Sequence, residues 1–127
     1  MQYDELITAI RDRGRFLSDE QATAAAAAVL GVLSTRDLGG EAERLAAQLP
    51  DGIGELLLAE ERAVERFDSE EFLHRIQQRL GGSAADAELA TRAVMSTIVD
   101  AVSDGEKVAF VNQLPLGYSQ FCFEQVS

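Results

Sequence analysis

The sequence has very few of the residues that build disulfides and soft-metal sites. Its 127 residues include one cysteine, one histidine and no tryptophan. The single cysteine, Cys122, excludes both an intramolecular disulfide and a cysteine-based metal site, because each needs more than one thiol. Cys122 stands between Phe121 and Phe123, and we predict a small buried apolar side chain there rather than a reactive thiol.

Long apolar runs and basic segments are also missing. No apolar stretch approaches the roughly 20 residues that a membrane-spanning helix needs. Acids stand near the first residue, where a signal peptide carries positive charge, so we expect a cytoplasmic protein. The formal net charge of -11 repels phosphates and anionic lipids. We therefore predict neither nucleic acid nor a membrane surface as a partner.

Recognisable catalytic and cofactor motifs are absent as well. The sequence has no Gly-x-Ser-x-Gly elbow, no Gly-x-Gly-x-x-Gly and no phosphate-binding loop with Gly-Lys-Ser/Thr. We predict no cofactor and no enzymatic activity. Were there chemistry, the first candidates would be His74, Glu70 and Glu71, which share one stretch of predicted helix.

The Glu71-x-x-His74 spacing places a carboxylate and an imidazole on one helical face. Di-iron carboxylate bundles use this pair, but they need it twice together with further glutamates. A stable metal site takes more ligands than this stretch offers, so we predict no metal. A solvated helix face with a local ion pair is the simpler interpretation of Glu70, Glu71 and His74.

Two acidic clusters stand beside arginines at helical spacing. Glu41 and Glu43 are close to Arg44, and the acids of 60–65 are close to Arg62 and Arg66. Paired carboxylates can act as acid and base when burial separates their pKa values. We interpret both clusters instead as exposed ion pairs on helix surfaces.

The prolines point to an internal duplication. Only Pro50 and Pro115 occur, 65 residues apart, in the matching segments Gln48-Leu49-Pro50-Asp51-Gly52 and Gln113-Leu114-Pro115-Leu116-Gly117. At that offset, 28–58 and 93–123 share 8 identities in 31 positions. Upstream the offset becomes 66, with Leu6, Ile7 and Ile10 falling on Phe72, Leu73 and Ile76.

Apolar spacing predicts an all-α fold of two tandem quasi-symmetric helical bundles, with about four helical segments each. We expect one compact domain, 1–127, with the repeats at about 2–62 and 67–124. The predicted segments are about 2–13, Ser18 through 33, 41–48, a short helix from Pro50, about 69–80, 84–102, a helix from Ser103, and one from Pro115 that ends near Phe123. The fourth segment could continue through 58–66 as a charged connector.

Capping residues and small side chains refine this scheme. Ser18, Asp68, Ser83 and Ser103 are predicted N-caps, with capping-box spacing from Ser18 to Gln21 and from Ser103 to Glu106. Gly14 is suited to end the first helix. The alanine-rich second helix has few bulky side chains, which lets neighbours approach closely, and we expect it to be central.

The two Leu-Pro corners are the most distinctive features. One interpretation is that Gln48, Pro50, Gln113 and Pro115, with the ends of the helices that follow, line a binding groove. The other is that each proline simply turns the chain back onto the core. We prefer the structural interpretation.

The repeated pattern resembles a bacterial family catalogued as domain of unknown function 2267. The resemblance runs from Tyr3 to Phe123. It rests on Ala28-Val29-Leu30, Gly40-Glu41 and Gln48-Leu49-Pro50, with their counterparts Ala93-Val94-Met95, Gly105-Glu106 and Gln113-Leu114-Pro115. It implies a bacterial all-helical protein, and brings with it no activity, cofactor or catalytic residue.

Two hypotheses for function follow. The first is a non-enzymatic interaction or scaffold module that binds another protein or a second copy of itself, because the chain is acidic and shows no catalytic constellation. The second is a small-ligand-binding or regulatory module that uses an apolar groove between the two repeats, since paired bundles often leave a pocket along their seam. An enzyme comes third.

Overall fold

The chain folds into short helices separated by turns, as the apolar spacing predicts. The computed structural model describes residues 1–36, 40–58 and 66–123, and within them it has seven α-helices, one 3₁₀ helix and no strand. The elements are α1 Tyr3–Gly14, α2 Asp19–Leu33, α3 Glu41–Gln48, α4 Gly54–Leu57, α5 Ser69–Leu80, α6 Ala84–Asp100, α7 Asp104–Gln113 and the 3₁₀ helix Ser119–Cys122.

Helices α2 and α6 form the centre of the domain. Helix α2 packs against α1, α4, α5 and α6, and helix α6 packs against α1, α2, α5, α7 and the 3₁₀ helix. Both bury alanines, among them Ala22, Ala25 and Ala90. Small side chains allow this close approach, so the predicted central position of α2 is confirmed. Helices α3 and α7 contact each other.

The predicted N-caps are confirmed. The side chains of Ser18, Asp68, Ser83 and Ser103 each accept a hydrogen bond from the backbone N–H three residues further on. These bonds satisfy N–H groups that a helix start leaves without a backbone partner.

Two predicted capping boxes lack their second hydrogen bond, the one from the backbone N–H of the N-cap residue to the side chain three residues further on. The Gln21 side chain accepts from the N–H of Leu17 at 2.9 Å rather than from Ser18. The N–H of Ser103 donates to Gln48 Oε1 at 2.9 Å instead of to Glu106. The second case ties the start of α7 to the end of α3, a long-range bond that local spacing does not encode.

Several helix ends were predicted wrongly. Helix α6 ends at Asp100, two residues before the predicted Val102, and Gly14 is still helical while Arg15 takes the left-handed cap. Neither proline begins a helix. A turn follows each one, so α4 starts only at Gly54 and the last segment is a 3₁₀ helix from Ser119. Proline fixes only its own φ, and the glycine two residues later adopts positive φ in both turns.

An aromatic cluster anchors the second proline corner. The rings of Phe72 and Tyr118 stack with centroids 4.7 Å apart, and Phe121 lies 6.1 Å from Phe72. All three side chains are buried, as is Cys122, which matches the prediction for that residue. Burial raises the pKa of the Cys122 thiol to about 12, so the nucleophilic thiolate is disfavoured at neutral pH.

The predicted charged connector after α4 lies mostly within 59–65, outside the described residues. The acids Glu60, Glu61 and Glu65 also lie there. Among the residues that are described, no helix is long and apolar enough to cross a membrane.

Candidate functional site

An open cavity lies between the loop that joins α1 to α2 and the loop that joins α5 to α6. Its volume is about 490 Å³. One wall comes from the first half of the chain and the other from the second, and we call this cavity the seam cavity. The lining residues are Gly14, Arg15, Phe16, Gln21, Ala24, Leu80, Gly81, Gly82, Asp86, Leu89 and Ala90.

The first wall is shaped by the end of α1. The N–H of Phe16 donates to the carbonyl of Arg11 at 2.9 Å, and the N–H of Arg15 donates to that of Asp12 at 3.4 Å. This is the Schellman arrangement, which needs a left-handed residue at the position of Arg15. Arg15 has φ 57° and is the one non-glycine residue with positive φ in the described chain. The Phe16 ring folds back over Gly14, where a Cβ would lie 2.3 Å from it.

The second wall is shaped by the end of α5 and the start of α6. Gly81 and Gly82 both have positive φ, which only glycine adopts without strain, so the loop turns within two residues. Ser83 and Asp86 then form a complete capping box, with bonds of 3.0 and 3.1 Å. Hydrogen bonds from the backbone and the side chain of Ser83 lower the pKa of the Asp86 carboxyl.

The lining combines apolar walls with few polar groups. Phe16, Leu80 and Leu89 supply apolar surface, and Ala24 adds a small side chain on α2. Leu89 is partly exposed, and the neighbouring Leu17 is 90% exposed. An open, mostly apolar cavity with a few polar groups at its rim is the usual form of a small-molecule site.

The two proline corners have different surroundings. Pro50 lines a smaller cavity of about 270 Å³ together with Leu49, Asp51 and Leu58. Gln48 does not line it. Gln48 crosses to α7 instead, where its amide accepts from the N–H of Ser103 and donates to Glu106 at 3.5 Å.

The second corner has a different surface. Gln113 is exposed, and no hydrogen bond of its side chain occurs within the described residues. Pro115 is half-buried, and Leu116 after it is 99% exposed. Neither Gln113 nor Pro115 lines the two cavities described above.

The candidates for chemistry lie on the surface of α5. His74 and Glu70 are exposed, and Glu71 makes an ion pair with Arg75 at 3.6 Å. None of His74, Glu70 and Glu71 lines either cavity. No group of three or more potential metal ligands occurs within the described ranges.

The acidic cluster on α3 was predicted wrongly in part. Glu41 is 1% exposed rather than on the surface, and its Oε2 accepts from Arg44 at 2.7 and 3.0 Å. The pair joins residues three apart on the helix. Glu43 is exposed, as expected.

A comparison with known protein families found a match. A family model described as an uncharacterized conserved protein, DUF2267, matches residues 3–121. The chain belongs to this family. A search of curated proteins found no match to it. Membership in DUF2267 brings no activity with it, so function must be argued from the cavity and the surface.

Reading the sequence alone missed the residues that line the seam cavity. Gly14 is predicted to end the first helix, but nothing in the sequence connects it to Gly81 and Gly82 across the cavity. Arg15 and Phe16 drew no attention because nothing in their local pattern differs from an ordinary helix end. The structure shows what distinguishes them: a Schellman end places Arg15 at a position where glycine is usual.

Proposed function

We propose that this DUF2267 protein is a non-enzymatic binding protein that holds a small apolar ligand in the seam cavity. The observation that supports this proposal most directly is the cavity itself. Its volume of about 490 Å³ is within the range of about 300–1,000 Å³ that is typical of ligand sites.

The cavity lining favours binding over catalysis. Its polar side chains are those of Arg15, Gln21 and Asp86, and no serine, cysteine, lysine or histidine is among the lining residues. Asp86 and Gln21 already serve the helix starts beside them. An enzyme site needs a nucleophile or a proton carrier within reach of the substrate.

We also propose that the chain is an internal duplication and that its halves pack by quasi-twofold symmetry. Helix α1 contacts α6 as α5 contacts α2, and α4 contacts α2 as the 3₁₀ helix contacts α6. Gly52 lies beside Tyr3 and Gly117 beside Ser69, the first residues of α1 and α5. On this proposal the seam cavity is built from the same loop of each half.

A cavity-filling variant tests the ligand proposal. Ala24 is an exposed wall residue, so Ala24→Leu fills the cavity without entering the core. We expect small apolar compounds such as 1-octanol to shift amide NMR signals of 14–17 and 81–90 in the native protein, and the shifts to disappear in Ala24→Leu. Ala47→Leu is the matched control, an exposed helical alanine outside the seam. Shifts that persist in Ala24→Leu, or their absence in the native protein, would refute the proposal.

A second candidate is an interaction module that binds another protein or a second copy of the chain. Its first contact candidates are Leu17 and Leu116, the most exposed large apolar side chains of the described residues, at 90% and 99%. Native mass spectrometry tests self-association. The homo-oligomer form is refuted if the native protein is strictly monomeric, or if neither Leu17→Asp nor Leu116→Asp changes its oligomeric state.

The net charge of -11 further supports the proposal of a cytoplasmic protein that binds neither nucleic acid nor anionic membranes. Of the two candidates, the ligand proposal comes first because it has a defined cavity, whereas the two exposed leucines do not mark one continuous surface.

A further inference from the structure

We infer that the ligand of the seam cavity is a small molecule with an anionic group at one end and an apolar body. This inference rests on the proposed ligand-binding function. It assigns the anionic group to Arg15 at the rim and the apolar body to the wall formed by Phe16, Leu80 and Leu89.

The polar groups of the rim differ in whether they already have partners. Gln21 Oε1 accepts from the N–H of Leu17 at 2.9 Å, and Asp86 Oδ2 accepts from that of Ser83 at 3.0 Å. The carbonyl of Gly82 accepts from the Gln77 amide at 3.0 Å. Arg15, in contrast, is exposed, and within the described structure its side chain makes no hydrogen bond or ion pair. Of the three polar side chains in the lining, Arg15 is therefore the one that makes no bond to another group in the described structure, and it is a cation.

The backbone at Arg15 gives separate support. A left-handed conformation is unfavourable for a non-glycine residue, and glycine is the usual residue at this place in a Schellman end. Here the glycine stands one position earlier, at Gly14, where the Phe16 ring needs the space. Strained residues that persist in a fold occur preferentially at functional sites.

The apolar part of the cavity is set by packing. The Phe16 ring lies against Gly14, and Leu80 closes the end of α5. Leu89 remains 39% exposed on the facing helix. Covering these side chains with an apolar chain would remove their surface from water, which favours binding.

The overall negative charge does not oppose a local anion strongly. At physiological ionic strength, charges more than about 8 Å apart are largely screened. The one acidic side chain in the lining, Asp86, lies in the first turn of α6 and accepts a hydrogen bond from the N–H of Ser83. The first turns of α2 and α6 lie at the cavity, and acids offset their partial positive charge, Asp19 and Glu20 in α2 and Asp86 in α6. Arg15 is therefore the group assigned to the anion.

Three eight-carbon probes separate the charge of the ligand from its apolar body. Octanoate, 1-octanol and octylammonium share one tail and differ in the head group at pH 7. We expect octanoate to bind about three- to tenfold more tightly than 1-octanol, as for one partly exposed charge-assisted contact. Octylammonium should bind more weakly than both. Dissociation constants come from amide NMR titrations at 0.15 M salt.

Arg15→Asn is the decisive variant, because asparagine tolerates the left-handed conformation and keeps the helix end folded. We expect it to bind octanoate and 1-octanol equally, with 1-octanol affinity unchanged. Arg66→Asn is the matched control: it removes the same charge from an exposed residue outside the cavity, and should keep the octanoate preference.

Each outcome decides a separate question. If none of the probes perturbs the cavity residues, the proposed function fails. If 1-octanol binds and octanoate gains nothing, or octylammonium binds most tightly, the cavity binds ligands but the anion inference is overturned. Loss of the octanoate preference in Arg66→Asn as well would assign it to net charge and would also overturn the role of Arg15.

Discussion

The two proline corners have similar sequences but make different interactions. Gln48 bonds to the backbone of Ser103 and to Glu106, and so connects the end of α3 to the start of α7. Gln113, in the same place before the second proline, is exposed and makes no described hydrogen bond. The same Gln-Leu-Pro motif therefore contributes differently to stability in the two corners, because the partners of Gln48 lie in a distant part of the chain.

The residues after the two prolines differ in a second way. Gly52 and Gly117 both have positive φ, 92° and 89°, so both turns need glycine. The next residue is Ile53 in the first corner and Tyr118 in the second, and both are buried. The first corner then forms an α-helical turn, whereas the larger aromatic residue is followed by a 3₁₀ helix.

The largest expected effect tests how closely the first corner packs. A Cβ at Gly54 would lie 2.7 Å from the carbonyl oxygen of Ala46, which is backbone and cannot move aside alone. Gly54→Ser, which installs the residue found at the matching position 119, should lower the free energy of unfolding by about 2–3 kcal/mol. Chemical denaturation measures it.

The reverse exchange, Ser119→Gly, is the control and should cost less than about 1 kcal/mol. Equal losses in Gly54→Ser and Ser119→Gly would mean that the two corners pack alike, contrary to the close approach at Gly54.

The next effect concerns the buried phenol of the second corner. The Tyr118 hydroxyl donates to the carbonyl of Phe67 at 2.7 Å, so Tyr118→Phe leaves that carbonyl without this donor. We expect a loss of about 1–2 kcal/mol in the free energy of unfolding. Tyr3→Phe is the matched control beside Gly52 in the first corner, and should change stability by less than about 0.5 kcal/mol. A Tyr3→Phe loss as large as that of Tyr118→Phe would contradict this difference.

Alkaline titration checks the same phenol independently. Burial raises the pKa of Tyr118 to about 12, from about 10 in an unfolded chain. The stability that the neutral phenol contributes is therefore complete below about pH 10 and is lost as the pH rises through about 12. In Tyr3→Phe, Tyr118 is the one remaining tyrosine, so phenolate absorbance reports it alone. A midpoint near 10 would show that the hydroxyl is not buried.

The smallest effect separates the two glutamines. Gln48→Ala removes the acceptor for the N–H of Ser103 and the donor to Glu106, both at exposed positions that water also reaches. We expect a loss of about 0.5–1 kcal/mol, and no measurable change for Gln113→Ala. Denaturation curves of both variants under one set of conditions measure the difference. If Gln113→Ala costs as much as Gln48→Ala, the second glutamine has a bond that mirrors the first.

The sequence alone determined the local features of this protein. Helices at 41–48 and 69–80, the caps at Ser18, Asp68, Ser83 and Ser103, and the buried Cys122 all follow from patterns within a few residues. Capping and apolar spacing act over one or two turns, so neighbouring letters suffice to predict them. Family membership was also readable, because its motifs are contiguous.

Only the tertiary structure decided where these elements meet. The seam cavity joins Arg15 and Phe16 to Leu80 and Asp86, and the Gln48–Ser103 bond crosses 55 residues. The burial of Glu41 likewise depends on the surrounding packing rather than on its neighbours in the chain. Packing selects these contacts through shape and through partners that are distant in sequence, so no local pattern specifies them. The site proposed for function is of this second kind.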